Sequence, residues 1–182
     1  MLQITIPACE QFDERTQQFV YTKEQTLTLE HSLVSLSKWE SKWNKVFMSK
    51  QDKTLEETVD YIKCMTLTQN VKPEVYNAIT SEIVETINKY IAAPMTATTF
   101  SKEQSRKSAT STEAVTAELI YYWMIALNIP KECEKWHLNK LLTLVKVCEI
   151  KNQPPKKRSR RDVMTRNAAL NAARRKQFNS KG

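Results

Sequence analysis

The chain has 182 residues, with 28 Lys and Arg against 20 Asp and Glu, and a single glycine, Gly182. Average usage of about 7% would give roughly a dozen glycines, so phosphate loops, dinucleotide fingerprints and nucleophile elbows, which need glycine's backbone freedom at fixed offsets, are excluded. The net charge of +8 divides unevenly: residues 1–150 carry 17 Lys and Arg and 19 Asp and Glu, whereas residues 151–182 carry 11 Lys and Arg and one acid, Asp162.

In chain order, Leu2–Ile6 alternates apolar and polar and Phe19–Thr22 is rich in β-formers, with the polar stretch Glu10–Gln18 between them. The pattern predicts a β-hairpin or two-stranded ribbon with a long loop, and Thr26–Leu29 alternates again as a third candidate strand. From Ser32, a plausible N-cap, the period becomes helical: Leu33, Leu36, Trp39 or Glu40, and Trp43 share one face. Thr54-Leu55-Glu56-Glu57 is a capping box opening a helix to about Thr68, with Val59, Ile62 and Met65 as its apolar stripe. Pro73 suits a helix N1 position. A further amphipathic helix carries Ile83, Ile87, Tyr90 and Ile91 and stops before Pro94.

The polar segment Ser101–Thr112 reads as a flexible linker. A helix from Thr112 or Glu113 to Asn128 follows, apolar nearly all round, which places it in the core or against a partner. Pro130 starts the next helix, with Trp136, Leu141, Leu142, Leu144, Val145 and Val147 inward and an end near Asn152. These elements predict a mainly α (α+β) fold. Residues 1–29 form the β-ribbon, 30–100 the first helical part of the body, 101–112 the linker, 113–152 a helical hairpin, and 153–182 a basic tail.

Candidate chemistry is sparse. Cys133 and His137, four apart on a predicted helix, supply half a zinc site at most; Cys64, Cys148 and His31 complete it only through folding that spacing does not show. Glu56, Glu57 and Asp60 cluster acids in a first helical turn, where they complement the helix dipole more readily than they act as an acid–base pair. No local pattern supports a nucleophile with His31 or His137, so no enzyme, metal or cofactor is expected. Met1–Pro7 lacks a secretory pattern. The longest apolar run, Leu119–Leu127, is too short to span a bilayer, and the cysteines read as free thiols. An intracellular soluble protein without a membrane partner is expected.

Two patterns suggest partner binding. Trp39 and Trp43 share a helix face with Lys38, Lys42 and Lys45 beside them, a combination that binds single-stranded nucleic acid or, more plainly, makes a buried face with a wet edge. Stronger is the tail: Lys156, Lys157, Arg158, Arg160 and Arg161, then Arg166, Arg174, Arg175 and Lys176 on a predicted alanine-rich helix charged on nearly all sides. With only Val163 and Leu170 to form a seam, that helix is expected to be disordered or detached when free and to order on a partner.

Several blocks resemble a known family. The segment Leu29–Trp43 (LEHSLVSLSKWESKW), Tyr121–Met124 (YYWM), Cys133–Asn139 (CEKWHLN), Ile150–Lys157 (IKNQPPKK) and Ala168–Arg175 (AALNAARR) are similar to blocks in tail assembly chaperones of long-tailed, siphovirus-type bacteriophages. The resemblance runs nearly end to end apart from Ser101–Thr112 and carries no catalytic motif. It implies a non-enzymatic protein that binds the tape-measure protein and recruits tail-tube subunits. It further implies action in the host cytoplasm and absence from the mature virion. Self-association, and weak non-specific contact with nucleic acid, are compatible with it. A nucleic-acid-binding phage regulator acting through the tail, or a minor head–tail joining protein, is the alternative.

Overall fold

The computed structural model describes residues 1–13, 17–49, 52–100, 114–153 and 160–179. The linker Ser101–Thr112 and the tail residues Lys156, Lys157 and Arg158 lie outside them. The chain forms two compact units, Met1–Glu149 and Ile150–Gly182. Its fold is α+β and mainly helical, with seven α-helices among the described residues.

The N-terminus is a ribbon of four strands: β1 (Leu2–Ile6), β2 (Cys9–Asp13), β3 (Gln18–Thr22) and β4 (Gln25–Leu29). β1 pairs antiparallel with β4, placing Leu2 opposite Leu29 and Ile6 opposite Gln25. β2 pairs with β3, placing Cys9 opposite Thr22 and Asp13 opposite Gln18. The sum of partner numbers is the same in both ladders, so this is one hairpin in one register, interrupted at Pro7-Ala8 and Lys23-Glu24. Pro7 has no N–H to give a ladder.

The expected loop Glu10–Gln18 is therefore corrected: Cys9–Asp13 is itself a strand, and Leu2–Ile6 meets Gln25–Leu29 rather than Phe19–Thr22. The outer ladder is held by backbone pairing and needs no alternating apolar face, so periodicity did not mark it. The inner ladder does alternate. Ile4, Ile6, Leu27 and Leu29 point into the core, as the two-residue period of strands requires.

Helix α1 (Leu33–Trp43) begins at Ser32, whose hydroxyl accepts the Ser35 N–H while Ser35 Oγ accepts the Ser32 N–H at 2.9 Å. Asn44 ends it in the left-handed region at φ 50°. In a chain this poor in glycine, asparagines take most such positions: Asn44, Asn70, Asn128 and Asn179, beside Gln17 and Met95. Asparagine tolerates positive φ better than bulkier residues do.

Helix α2 (Leu55–Met65) carries the predicted capping box, with Glu57 Oε2 accepting the Thr54 N–H at 2.8 Å. Just past its end the chain runs along β4: Leu67 donates to Thr28 O at 2.8 Å and Glu30 donates to Met65 O at 2.9 Å. This covers an edge that would otherwise present unpaired backbone groups. Helices α3 (Pro73–Asn77, Pro73 in its first turn) and α4 (Ser81–Ala92, capped by Thr80) follow.

Beyond the linker, α5 (Ala117–Ala126) is shorter than expected and capped by Thr116. A 3-10 helix (Lys131–Lys135) and α6 (Leu138–Asn152) then replace the single helix predicted from Pro130. Trp136 takes extended angles between them, and the Leu138 N–H is held by His31 O at 2.7 Å. That break reverses one expectation: Trp136 points outward, with Lys140 Nζ 4.4 Å from its ring centre. Helix α7 (Arg160–Phe178) lies in the second unit.

Two apolar clusters fill the first unit. One gathers Ile4, Ile6, Leu27, Leu29, Trp39, Tyr61, Ile62, Met65, Ile87 and Tyr90; the other gathers Leu33, Leu36, Ala117, Ile120, Met124, Leu138, Leu141 and Val145. Helix α1 is the wall between them, with Trp39 on one side and Leu33 and Leu36 on the other. Glu40 rivets the arrangement. It is buried, and its two oxygens accept the Phe47 N–H at 2.8 Å and the Ala117 N–H at 2.7 Å. Its charge thus sits at the start of α5, where a helix dipole favours an anion.

Candidate functional site

The tryptophan helix is a core element. Trp39 is 1% exposed, its Nε1 donates to Glu57 O at 2.9 Å, and Phe47 and Tyr61 meet it edge-on. Trp39 is therefore corrected from a candidate partner contact to a packing residue. Trp43 is half-buried, donates to Asp60 Oδ2 at 3.0 Å, and has Lys42 and Lys45 Nζ within 6 Å of its ring centre. The flanking lysines meet the acids of α2: Lys42 pairs with Asp60 and Lys45 with Glu57. The hydrogen bond from Lys45 holds the Glu57 carboxyl below its ordinary range, and the one to Asp60 holds Lys42 above its own. Two features that looked like separate sites in sequence are the two halves of one helix–helix contact.

The histidines meet in a buried polar knot. His31 Nδ1 lies 2.6 Å from the Tyr61 hydroxyl, His137 Nε2 lies 3.1 Å from Tyr90 O, and the two rings stack edge-on with centroids 5.1 Å apart. The Tyr90 hydroxyl donates to Glu30 Oε1 at 2.8 Å. Burial, with the second imidazole beside it, lowers the His31 pKa to about 4; burial lowers that of His137 as well. Both rings are neutral near pH 7; His31 ties the β4–α1 turn to α2 through Tyr61, and His137 ties the start of α6 to α4 through Tyr90 O. Desolvation raises the Tyr61 and Tyr90 hydroxyls above their ordinary range. Cys133 is buried in the second cluster, where desolvation makes its thiol a poorer nucleophile, and it does not share a helix with His137. Among the described residues no three His, Cys, Asp or Glu side chains gather as a metal site would require, and no helix is long and apolar enough to cross a membrane.

Two helices, one in each unit, present much of their surface outward. On α5, Ala117, Ile120 and Met124 are buried, yet Tyr122 is 64% and Ile125 76% exposed and Ala126 is exposed beside them. The only charge on α5 is Glu118 in its first turn. The Tyr121 hydroxyl, half-buried against Glu134 at 3.0 Å and pushed up to about 12, ties the helix to the 3-10 turn and leaves the Tyr122 face uncovered. A cleft of about 430 Å³ with a mixed lining opens between α2 and α4, where Phe47, Tyr61, Ile87 and Ile91 meet Asp52, Lys53 and Asn88.

On α7, every described side chain is exposed, including Arg161, Arg166, Arg174, Arg175 and Lys176. Arg160 opens the helix. The predicted helix beyond Ser159 is present and carries Arg160, Arg161, Arg166, Arg174, Arg175 and Lys176 on one element. No protein-family model, curated protein or solved structure matches this chain.

Proposed function

We propose that this protein is a tail assembly chaperone of a long-tailed bacteriophage, acting without catalysis in the host cytoplasm to bind the tape-measure protein and bring tail-tube subunits to it. The blocks quoted above, Leu29–Trp43 foremost, motivate the family. The observation that carries the reading is the uncovered apolar face of α5, with Tyr122 and Ile125 exposed on a helix that has no charge after Glu118. A tape measure is a long helix with apolar stripes that aggregates until the tube encloses it. Tyr122, Ile125 and Ala126 supply anchors at helical spacing against such a stripe, the mode in which one amphipathic helix lies along another. Contiguous apolar surface left in water on a folded body is a feature of interaction sites.

The test is co-expression with the tape-measure and tail-tube proteins encoded beside it, followed by a pull-down at about 150 mM salt. A complex is expected. The double variant Tyr122→Glu, Ile125→Glu should abolish it while the melting temperature stays put, because both side chains already sit in water. No complex, or one indifferent to the double variant, refutes the reading. A slippery heptamer near the end of the reading frame, extending the product by frameshift, is the corresponding signature in the coding DNA.

A further inference from the structure

The chaperone reading rests on α5 and leaves α7 without a role. Helix α7 has 19 residues and is about 28 Å long at 1.5 Å per residue. Successive side chains step round its axis by about 100°. Arg161, Arg166, Arg174, Arg175 and Lys176 then leave no arc wider than about 100° without a cation. The exposed apolar residues Met164, Leu170 and Phe178 fall within one arc of about 120°, but Arg174 projects inside that arc, between Leu170 and Phe178.

That distribution selects a class of partner. A helix that docks on a protein buries one uncharged apolar face at i, i+3 or i+4, and i+7, whereas the apolar arc of α7 is interrupted by Arg174. A helix in the major groove of duplex DNA instead runs between two phosphate walls and meets negative charge on both flanks. The dimensions agree. A groove about 12 Å wide admits a helix, and the middle of α7 is slim, with alanines at Ala168, Ala169, Ala172 and Ala173. Its exposed cations sit towards the two ends, Arg161 and Arg174 being about 20 Å apart along the axis. The charge of this unit, not that of the near-neutral body, supplies the attraction.

We propose that α7 is a sequence-independent binding helix for double-stranded DNA, holding phosphates through Arg161, Arg166, Arg174, Arg175 and Lys176. Each phosphate neutralised releases condensed counterions. Five contacts correspond to a slope of about −4.5 in log affinity against log salt, an affinity loss of about 500-fold between 50 and 200 mM. Binding is thus firm at low salt and weak at physiological salt.

The test uses the full chain and labelled 20-base-pair duplexes of two unrelated sequences, followed by fluorescence anisotropy across that salt range. Both duplexes should bind alike. Replacing the five cations together by Gln should flatten the slope by about 4.5 without lowering the melting temperature. No binding at 50 mM salt overturns the proposal, as does a variant that binds like the parent. Competition by polyglutamate at equal charge that matches the duplex would assign α7 to an acidic protein instead, and tighter binding to single strands would exclude the groove. The pull-down of tail proteins reads α5 and should not change in the five-fold variant, so failure of one proposal leaves the other standing.

Discussion

Replacing Glu40 by Gln tests the rivet between α1 and α5. In the native protein both carboxylate oxygens are engaged, one by the Phe47 N–H at 2.8 Å and one by the Ala117 N–H at 2.7 Å, in a residue only 7% exposed. Gln has the same shape but one acceptor oxygen. It can satisfy one N–H; its own amide then faces the other, donor against donor. The loss is one charge-assisted hydrogen bond, about 1.5–3 kcal/mol, plus part of the cost of a buried donor left unpaired, about 1–3 kcal/mol. A total of about 2–4 kcal/mol is expected, a large fraction of the stability of an ordinary domain. Urea unfolding measures it as a lower midpoint at unchanged slope. Hydrogen exchange locates it, because the Ala117 amide should lose protection before the amides of α2. Glu118→Gln, an exposed acid in the same first turn, is the control and should change stability by less than about 0.5 kcal/mol. A Glu40→Gln loss below about 1 kcal/mol would show that the two hydrogen bonds contribute little and would refute this account of how α5 is held.

Three further outcomes are expected. The His31 pKa is about 4 in the folded chain against 6.5 ordinarily, so the unfolded state binds more protons between those values and stability falls as pH drops through that window. His31→Gln should flatten the pH 4–7 stability profile by an amount on the order of 3 kcal/mol, and an unchanged profile would show that His31 does not titrate there. On α5, Ile120→Ala should cost about 2–5 kcal/mol and half-buried Trp123→Ala about 2, whereas Ile125→Ala should cost under about 0.5; equal losses by thermal melting would mean the helix is oriented otherwise. Arg174→Ala with Arg175→Ala should leave the melting temperature of the body unchanged, since both side chains are exposed in the second unit, and a clear drop would show that α7 supports the body.

Local signals were readable from the sequence because they act within a turn or two. Ser32, Thr54 and Pro73 mark helix starts by chemistry confined to neighbouring residues, and each stands where that chemistry puts it. The ribbon was half readable: the alternation of Leu2–Ile6 and of Thr26–Leu29 marks strands, but their pairing with each other depends on contacts more than twenty residues apart. Helix α5 was ambiguous for a different reason. Both its faces are apolar, so nothing in the pattern says that Ile120 and Met124 go in while Tyr122 and Ile125 stay out. Glu30 and Glu40 look like any surface acid, and only the fold shows that their carboxylates are buried acceptors. Trp136 was misplaced by one break in phase, where His31 O captures the Leu138 N–H and restarts the helix.

The unbroken register of the N-terminal hairpin constrains how this protein can vary. Because β1–β4 and β2–β3 share one alignment across the interruption at Pro7-Ala8 and Lys23-Glu24, the outer ladder can lengthen or shorten by matched pairs of residues, one on each arm, without disturbing a single inner contact. An unmatched insertion within the inner arm would turn Ile4 and Ile6, or Leu27 and Leu29, from core to solvent. Among descendants of this chain, natural or engineered, length changes in the hairpin should therefore be even in total and shared equally between its arms, with the outer part free to diverge and the inner part fixed.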